Sequence, residues 1–286
     1  MNGITGGKNS MDRIDYIGKS CIQHGKDNNR IYLLKYREED GNGLLPRLDE
    51  MACENGYGKI IAKVPASAQP LFLQNGYQPE AYIPGFFDGV EGMFFMAKYM
   101  DTARMTIPTE ALSVLAGLLS WPNGNGVSKA NKLSTGIMNP EQTGEMAALY
   151  RQVFKTYPFP ITDAAYLKQT MDEGTVIYYG VWDGERLIGL SSAELDRDAG
   201  NAEMTDFAVL PEYRGQNLAG LLLETMEEDM AKLSFKTLYT IARLNNPGMN
   251  KTFIKQGYHY SGLLKNNTNI SGQIESMTVF YKNLML

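Results

Sequence analysis

The sequence has no uninterrupted apolar run of the ~18 residues that a membrane-spanning helix requires. Its longest apolar segment, EALSVLAGLLSW, is interrupted by Ser113 and Ser120. Sulfur and imidazole are also scarce: two cysteines, Cys21 and Cys53, and two histidines, His24 and His259. Neither pair has the spacing of a zinc site, so no metal is expected. A basic excess is missing as well. Lys+Arg number 27 against 32 Asp+Glu, for a formal net charge of -5. Without a basic stripe to hold a phosphate backbone, nucleic acid is not an expected partner. The opening residues, MNGITGGKNSMDRIDY, lack the apolar core of a secretion signal. The expectations are therefore no membrane, a cytoplasmic location and no disulfide.

What is present is an ordinary globular composition: 286 residues, 43% hydrophobic and 21% charged. Residues 1–10 are rich in Gly and Asn and are expected to be disordered. Residues 11–105 read as a smaller α/β unit. Two strands are expected between Ile14 and Tyr36, a short helix over Leu44–Asn55 and a strand at KIIAKV. A helix ending at Gly76 follows, then two strands joined at Asp88-Gly89. Residues 106–132 read as a connector, a helix followed by the loose PNGNGVSKAN. From residue 133 to 286 the order is β-α-α-β-β-β-α-β-α-β-β, the mark of an α/β or α+β sheet.

One stretch of that second part carries chemistry. VLPEYRGQNLAGLLLETM follows the apolar strand AEMTDFAVL and opens a long helix. Amides at a helix start lack intrahelical partners and sit at the positive end of the helix dipole. A strand running straight into such a helix makes an anion cradle. Gly215 lets the backbone approach an anion, and Arg214 adds a fixed charge. The expected anion is a phosphate or pyrophosphate. A P-loop is excluded because no Gly-Lys-Ser/Thr follows.

On these residues the chain resembles the GNAT superfamily of acetyl-CoA-dependent N-acetyltransferases. The family's pyrophosphate loop, Arg/Gln-x-x-Gly-x-Gly/Ala, is matched by Arg214, Gly215, Gln216, Asn217, Leu218 and Ala219, with Gly220 next. Asn217 stands where the family has glycine, and asparagine tolerates unusual backbone angles well. Further on, Asn246, Met249, Phe253, Gly257 and Tyr258 fall at the family's spacing. The resemblance implies a GNAT fold, a mixed central sheet with flanking helices, and acetyl-CoA as acetyl donor. It implies that the backbone of Phe207, Ala208 and Val209 holds the thioester and pantetheine arm, and that Asn246 contributes to the CoA site. It also puts Phe253 where the family often has an acidic tyrosine, with Tyr258 or Tyr260 as substitutes.

An echo links the two parts. KIIAKVPASAQPLFLQNGY and LYTIARLNNPGMNKTFIKQGY align at a constant offset of 181 residues, Phe72 on Phe253 and Gly76 on Gly257 among others. The N-terminal part thus resembles the last half of an acetyltransferase domain. RLDEMACENGYG occupies the place where a phosphate loop would stand, so this part is not expected to bind CoA.

Acetyl transfer to an amine needs the neutral amine, and a carboxylate is the natural base. Glu203 is the candidate, on the strand before the loop. Alternation puts Glu203, Thr205, Phe207 and Val209 on one face. Asp206, on the opposite face, is the alternative base or an ammonium partner.

Over nearly its whole length the chain further resembles the beta-lysine N6-acetyltransferases, in RIYLLKY, KIIAKVPASA, IPGFFDG, NNPGMNKTFIKQGYHYSGLLKNN and GQIESMTVFYKNL. That implies acetylation of 3,6-diaminohexanoate to a compatible solute. The pocket must then hold a carboxylate and a β-ammonium. Phe87 and Asp88 are candidates for the ammonium, and Arg243 for the carboxylate. Other small amines, or a non-catalytic acetyl-CoA-binding module, are the rival readings. A homodimer is the oligomeric state held open.

Overall fold

The computed structural model describes residues 12–121, 133–155, 157 and 159–284. The expected disorder of residues 1–10 and the loose loop after Trp121 lie outside them. Among the described residues, thirteen strands form one sheet. The first six are β1 Arg13–Ile17, β2 Ser20–Gly25, β3 Arg30–Lys35, β4 Lys59–Pro65, β5 Gln78–Phe87 and β6 Glu91–Tyr99. Between them lie helices α1 Gly41–Asn55 and α2 Gln69–Gln74. Helix α3, Thr109–Leu119, leads to β7 Ser134–Ile137, α4 Thr143–Val153, α5 Ala164–Asp172, β8 Val176–Asp183, β9 Arg186–Asp196 and β10 Asn201–Val209. The chain ends with α6 Leu218–Lys232, β11 Thr237–Arg243, α7 Pro247–Lys255, β12 His259–Ile270 and β13 Gln273–Asn283.

The sheet order is β1-β2-β3-β4-β6-β5-β12-β13-β11-β10-β9-β8-β7. Read outward from the junction of β5 with β12, the two arms match strand for strand. β3 and β4 are parallel, as are β10 and β11, and the other pairings within both arms are antiparallel. In both arms helices follow the third and fourth strands. The echo seen in sequence therefore extends over six strands, β1–β6 against β8–β13. Among the described residues of the C-terminal arm, β7, α4 and α5 lack an N-terminal counterpart.

The junction itself is narrow. Gly262 pairs with Ala81, and Ser261 Oγ bonds both the amide and the carbonyl of Tyr82. A Cβ on Gly262 would stand 2.1 Å from the carbonyl oxygen of Glu80, so only glycine permits this approach. Beside it lies a buried ion pair. Lys59 Nζ donates to Glu80 Oε2 at 2.7 Å and to the Lys265 carbonyl at 2.8 Å, and Tyr99 and the Lys265 amide also bond Glu80. Arg104 bonds the carbonyls of Asn29 and Asn266. Apolar side chains from both arms meet above this seam, including Ile61, Phe95, Tyr239, Leu264 and Val279. The sheet curls so that β3 approaches β9, closed by Lys35 and Asp196 at 3.2 Å.

Two expectations need correction here. Residues 14–36 hold three strands, because a turn at Gly18-Lys19 separates β1 from β2. That turn is held by Asp40, far along the chain, which accepts from the amides of Lys19 and Ser20. The last two strands also run further than their apolar residues suggest, meeting at Ser271-Gly272. The polar run Asn266–Asn269 stays in β12 because it bonds the other arm: Asn266 Nδ2 to the Arg104 carbonyl, Asn269 Nδ2 to the Asp27 carbonyl.

Candidate active site

The strand, turn and helix start around the expected cradle form as their sequence predicts. β10 ends at Val209, a 3-10 turn spans Pro211–Tyr213, and α6 starts at Leu218. Gly215 has φ 81° and Asn217 φ 60°, ψ 27°, so both occupy the left-handed region. Asn217 thus takes the conformation that glycine would supply. Its amide oxygen lies 2.7 Å from where a Cβ on Gly220 would be, which explains the small residue there. The first intrahelical bond runs from the Leu221 amide to the Asn217 carbonyl, leaving the amides of Leu218, Ala219 and Gly220 at the open end. Nothing lies within 4 Å of a Cβ built on Gly215, and exposed Arg214 bonds the Val209 carbonyl through Nε at 3.3 Å. The donors and the space fit a pyrophosphate.

Next to the cradle the sheet parts. β10 and β11 pair in parallel only from Asn201–Thr237 to Glu203–Tyr239. A bulge between Thr205 and Ala208 breaks the register with β9 and puts Asp206 at φ 57°. The backbone of Phe207, Ala208 and Val209 follows that bulge, alongside the gap. A cavity of about 260 Å³ opens here. The bulge also turns Asp206 into it, so Glu203, Thr205, Asp206 and Phe207 all line one wall. The opposite-face placement expected for Asp206 from strict alternation does not hold, because the bulge resets the alternation.

Three carboxylates meet in this wall. Glu203 and Glu194 are direct cross-strand partners on β10 and β9. Burial raises the Glu203 pKa, opposed by Lys63 and by a hydrogen bond from Tyr239. Glu194 projects into the cavity, reached by water there but enclosed by protein. That enclosure, with Glu203 and Asp206 nearby, pushes it up to about 8. Asp206 is raised by burial and opposed by its hydrogen bonds from Ser192, at 2.6 Å, and Tyr157. The arrangement can accept protons and hold cations. Among the described residues no group of three or more His, Cys, Asp or Glu could hold a metal.

The other wall comes from the N-terminal arm. Gln23, Arg30, Tyr32, Leu34 and Lys63 line the same cavity. A second cavity of about 320 Å³ shares Leu34, Lys63, Glu194 and Tyr239 with the first and extends past Phe87 toward Asp198. Asp88 sits outside both, exposed at the hairpin tip, its amide bonded to the Ala199 carbonyl at 2.7 Å. Arg243 lines the first cavity but is engaged by Glu275 at 2.6 and 3.0 Å. Asn246 caps α7, accepting from the Met249 amide at 3.2 Å. Phe253 lines the cavity, edge-on to Phe207 at 5.7 Å. Tyr258 and Tyr260 do not line it, and the Tyr258 phenol is buried without a hydrogen-bond partner.

A beta-lysine N(6)-acetyltransferase of Methanococcus maripaludis is 36% identical to the chain over 276 residues, spanning 95% of this chain and 99% of the relative. Residues 145–258 match the acetyltransferase (GNAT) family model. This chain belongs to the GNAT family. It is an acetyl-CoA-dependent acyltransferase of that family, with the family's mixed sheet and flanking helices. Another relative, the N-acetyltransferase YodP of Bacillus subtilis, is 33% identical over 93% of this chain and 96% of its own length. Among solved GNAT structures, a Vibrio cholerae spermidine N-acetyltransferase in complex with CoA and spermine covers 53% of this chain and 95% of itself, at 17% identity and TM-score 0.47.

In the N-terminal arm of this GNAT chain, the loop matching the cradle is not RLDEMACENGYG, which forms α1 and its end. It is the segment from Tyr36 to Gly43, which follows β3 and includes the first residues of α1. There Glu38, Glu39 and Asp40 stand in place of the cradle's arginine, and the Asp40 carboxylate is engaged by the Ser20 amide and hydroxyl of the β1–β2 turn.

Proposed function

We propose that the chain transfers the acetyl group of acetyl-CoA to the N6 amine of 3,6-diaminohexanoate, beta-lysine, and releases CoA. The observation that carries this reading is the Glu194–Glu203 pair, set in a cavity that opens on the parted strands next to the cradle. The name of the 36% identical relative points to the same substrate.

In this reading Arg214 and the amides of Gly215, Gln216, Asn217, Leu218, Ala219 and Gly220 hold the pyrophosphate, with Asn246 shaping the far edge of the CoA site. Backbone donors along Phe207, Ala208 and Val209 face the thioester carbonyl and stabilise the oxyanion. A lysine-type amine has pKa ~10.4, so freeing it at pH 7 costs ~4.6 kcal/mol at 1.36 kcal/mol per unit. Glu203 takes that proton. The amine nitrogen bonds to the carbonyl carbon, the carbon–sulfur bond breaks, and CoA departs as a thiolate. A thiol of pKa ~8.5 leaves without a dedicated acid, which suits Phe253 at the position where the family often has tyrosine. Asp206, braced by Ser192 and Tyr157, and Glu194 hold the incoming ammonium. Phe87 lies along the approach to it, while Asp88 and Arg243 contribute from outside the reacting centre.

The product carries one carboxylate and one ammonium, so it is net neutral and suited to accumulate as a compatible solute in the cytoplasm. Residues 11–105 are read as a partial GNAT-like unit and 133–286 as the catalytic GNAT unit, joined by 106–132, with only the second binding CoA. The exposed Leu112, Leu119 and Trp121 near α3 support a homodimer. A three-carboxylate wall also suits a polyamine, so the decisive test is acetyl-CoA turnover with beta-lysine, α-lysine and spermidine side by side. Preference for spermidine would replace the amino-acid reading. Binding without turnover on any amine would replace the enzyme reading.

A further inference from the structure

Beyond the carboxylates, the cavity has a second polar region, on the N-terminal arm's side. Arg30 is 5% exposed and Asn267 2% exposed, and both line the cavity. Arg30 Nη1 donates to the Asn267 carbonyl at 2.7 Å and to Thr268 Oγ1 at 3.2 Å. Its guanidinium lies 5.0 Å over the Tyr32 ring. Among the described residues, no carboxylate lies within ion-pair distance of it, and its Nε has no hydrogen-bond partner. The side-chain oxygen of Asn267 is also buried without a partner.

A buried guanidinium without a counter-charge is costly, and so is a buried unpaired acceptor. Here an unsatisfied donor of positive charge and an unsatisfied acceptor stand side by side, with a cavity in front of them. A ligand bearing an anion and a cation a few bonds apart would satisfy both. We propose that Arg30 and Asn267 form a subsite for the zwitterionic head of the amino-acid substrate. Arg30 takes the carboxylate through its free guanidinium edge, and Asn267 Oδ1 accepts from the adjacent ammonium. The distal amine is left to reach Glu203. The inference rests on the amino-acid reading above. It also gives the N-terminal arm a role in catalysis, because that arm supplies the substrate's charge reader to the other arm's site.

The test uses the full chain and three amines sharing the same distal group: 3,6-diaminohexanoate, pentane-1,4-diamine without the carboxylate, and 6-aminohexanoate without the second ammonium. Arg30→Met should lower kcat/KM by about 10- to 100-fold, the loss of one charge-assisted contact, for both carboxylates. It should leave the diamine within about twofold, and Arg30→Lys should restore part of the loss. Asn267→Leu should show the complementary pattern, sparing only 6-aminohexanoate. Equal losses on all three amines in either variant would make the residue merely structural and overturn the subsite. Unchanged kinetics would overturn it as well. If the unaltered protein acetylates the diamine better than both carboxylates, the amino-acid reading falls with it. If beta-lysine is its best substrate but the variants do not sort by missing group, only the subsite falls.

Discussion

At the residue scale the centre of interest is a pair of side chains that no single strand displays. Glu203 was legible because one motif located its strand. Glu194 was not, although it lies on a strand that sequence also reveals. What joins them is the register across the turn from Asp196 to Asn201, and a one-residue slip would have sent Glu194 to the other face. Asp206 was legible as a candidate but not in its orientation, since a bulge leaves no mark in the apolar pattern. Tyr157, Tyr239 and Lys63 reach the site from remote segments, and only tertiary structure brings them in. Glu203→Gln is expected to lower kcat at pH 7 by about 10²–10⁴-fold, the usual worth of a general base, and by much less at pH 9.5, where more amine is already neutral. A pH-rate profile with an equal deficit at both values would remove Glu203 from proton transfer. Glu194 makes a separate prediction about stability. Its folded pKa is raised from 4.5 to about 8, so the folded state binds more protons than the unfolded chain across that window. Its contribution to stability therefore falls as pH rises from about 4.5 to about 8. Glu194→Gln should flatten that decline in denaturant titrations run at several pH values, and a decline as steep as the parent's would show the pair is not strained.

At the element scale the loop between β10 and α6 was the most readable part of the chain. Its signals are local: a strand, a proline, an Arg-Gly pair and a helix start, each with its own backbone requirement. The matching loop of the N-terminal arm is not legible in the same way, because acidic residues replace the arginine ahead of its Gly41-x-Gly43 spacing. Arg214→Ala with Gly215→Val should abolish measurable CoA affinity by calorimetry while circular dichroism stays unchanged, since both positions are exposed. Retained affinity would move the cofactor site elsewhere. Asn217 gives a finer probe. Asn217→Gly should keep CoA affinity, whereas Asn217→Val forces a β-branched residue into the left-handed region at a cost of about 1–2 kcal/mol. Its CoA affinity should drop accordingly, and equal affinities for the two variants would show that the left-handed conformation is dispensable.

At the scale of the whole molecule, one sheet carries two arms and the seam between them is largely polar. Sequence showed the repeat but not that β5 and β12 join edge to edge, because strand order across such a joint is set by side chains far apart in the chain. Lys59 and Glu80, both buried beside the joint, tie the N-terminal arm to the Lys265 backbone. Burial pulls the Lys59 pKa down to about 8, with Glu80 opposing. Glu80→Ala would leave that ammonium uncompensated, and a loss of about 3–5 kcal/mol is expected. Because the arms share a core, calorimetry should show a single transition moved to lower temperature. Two separated transitions, with only the first one moved, would mean that the arms unfold independently.

The matched arms have one more consequence. In a pair of identical subunits every substitution is made twice, so a loop cannot turn acidic on one side of a shared cavity while staying basic on the other. Two matched arms within one chain are free of that constraint. Glu38, Glu39 and Asp40 can close one cradle while Arg214 keeps the other open, and one wall is free to drift toward whatever the substrate's far end requires. The stoichiometry should reflect this asymmetry: one equivalent of CoA per chain, with a hyperbolic isotherm, although the two arms match in strand order.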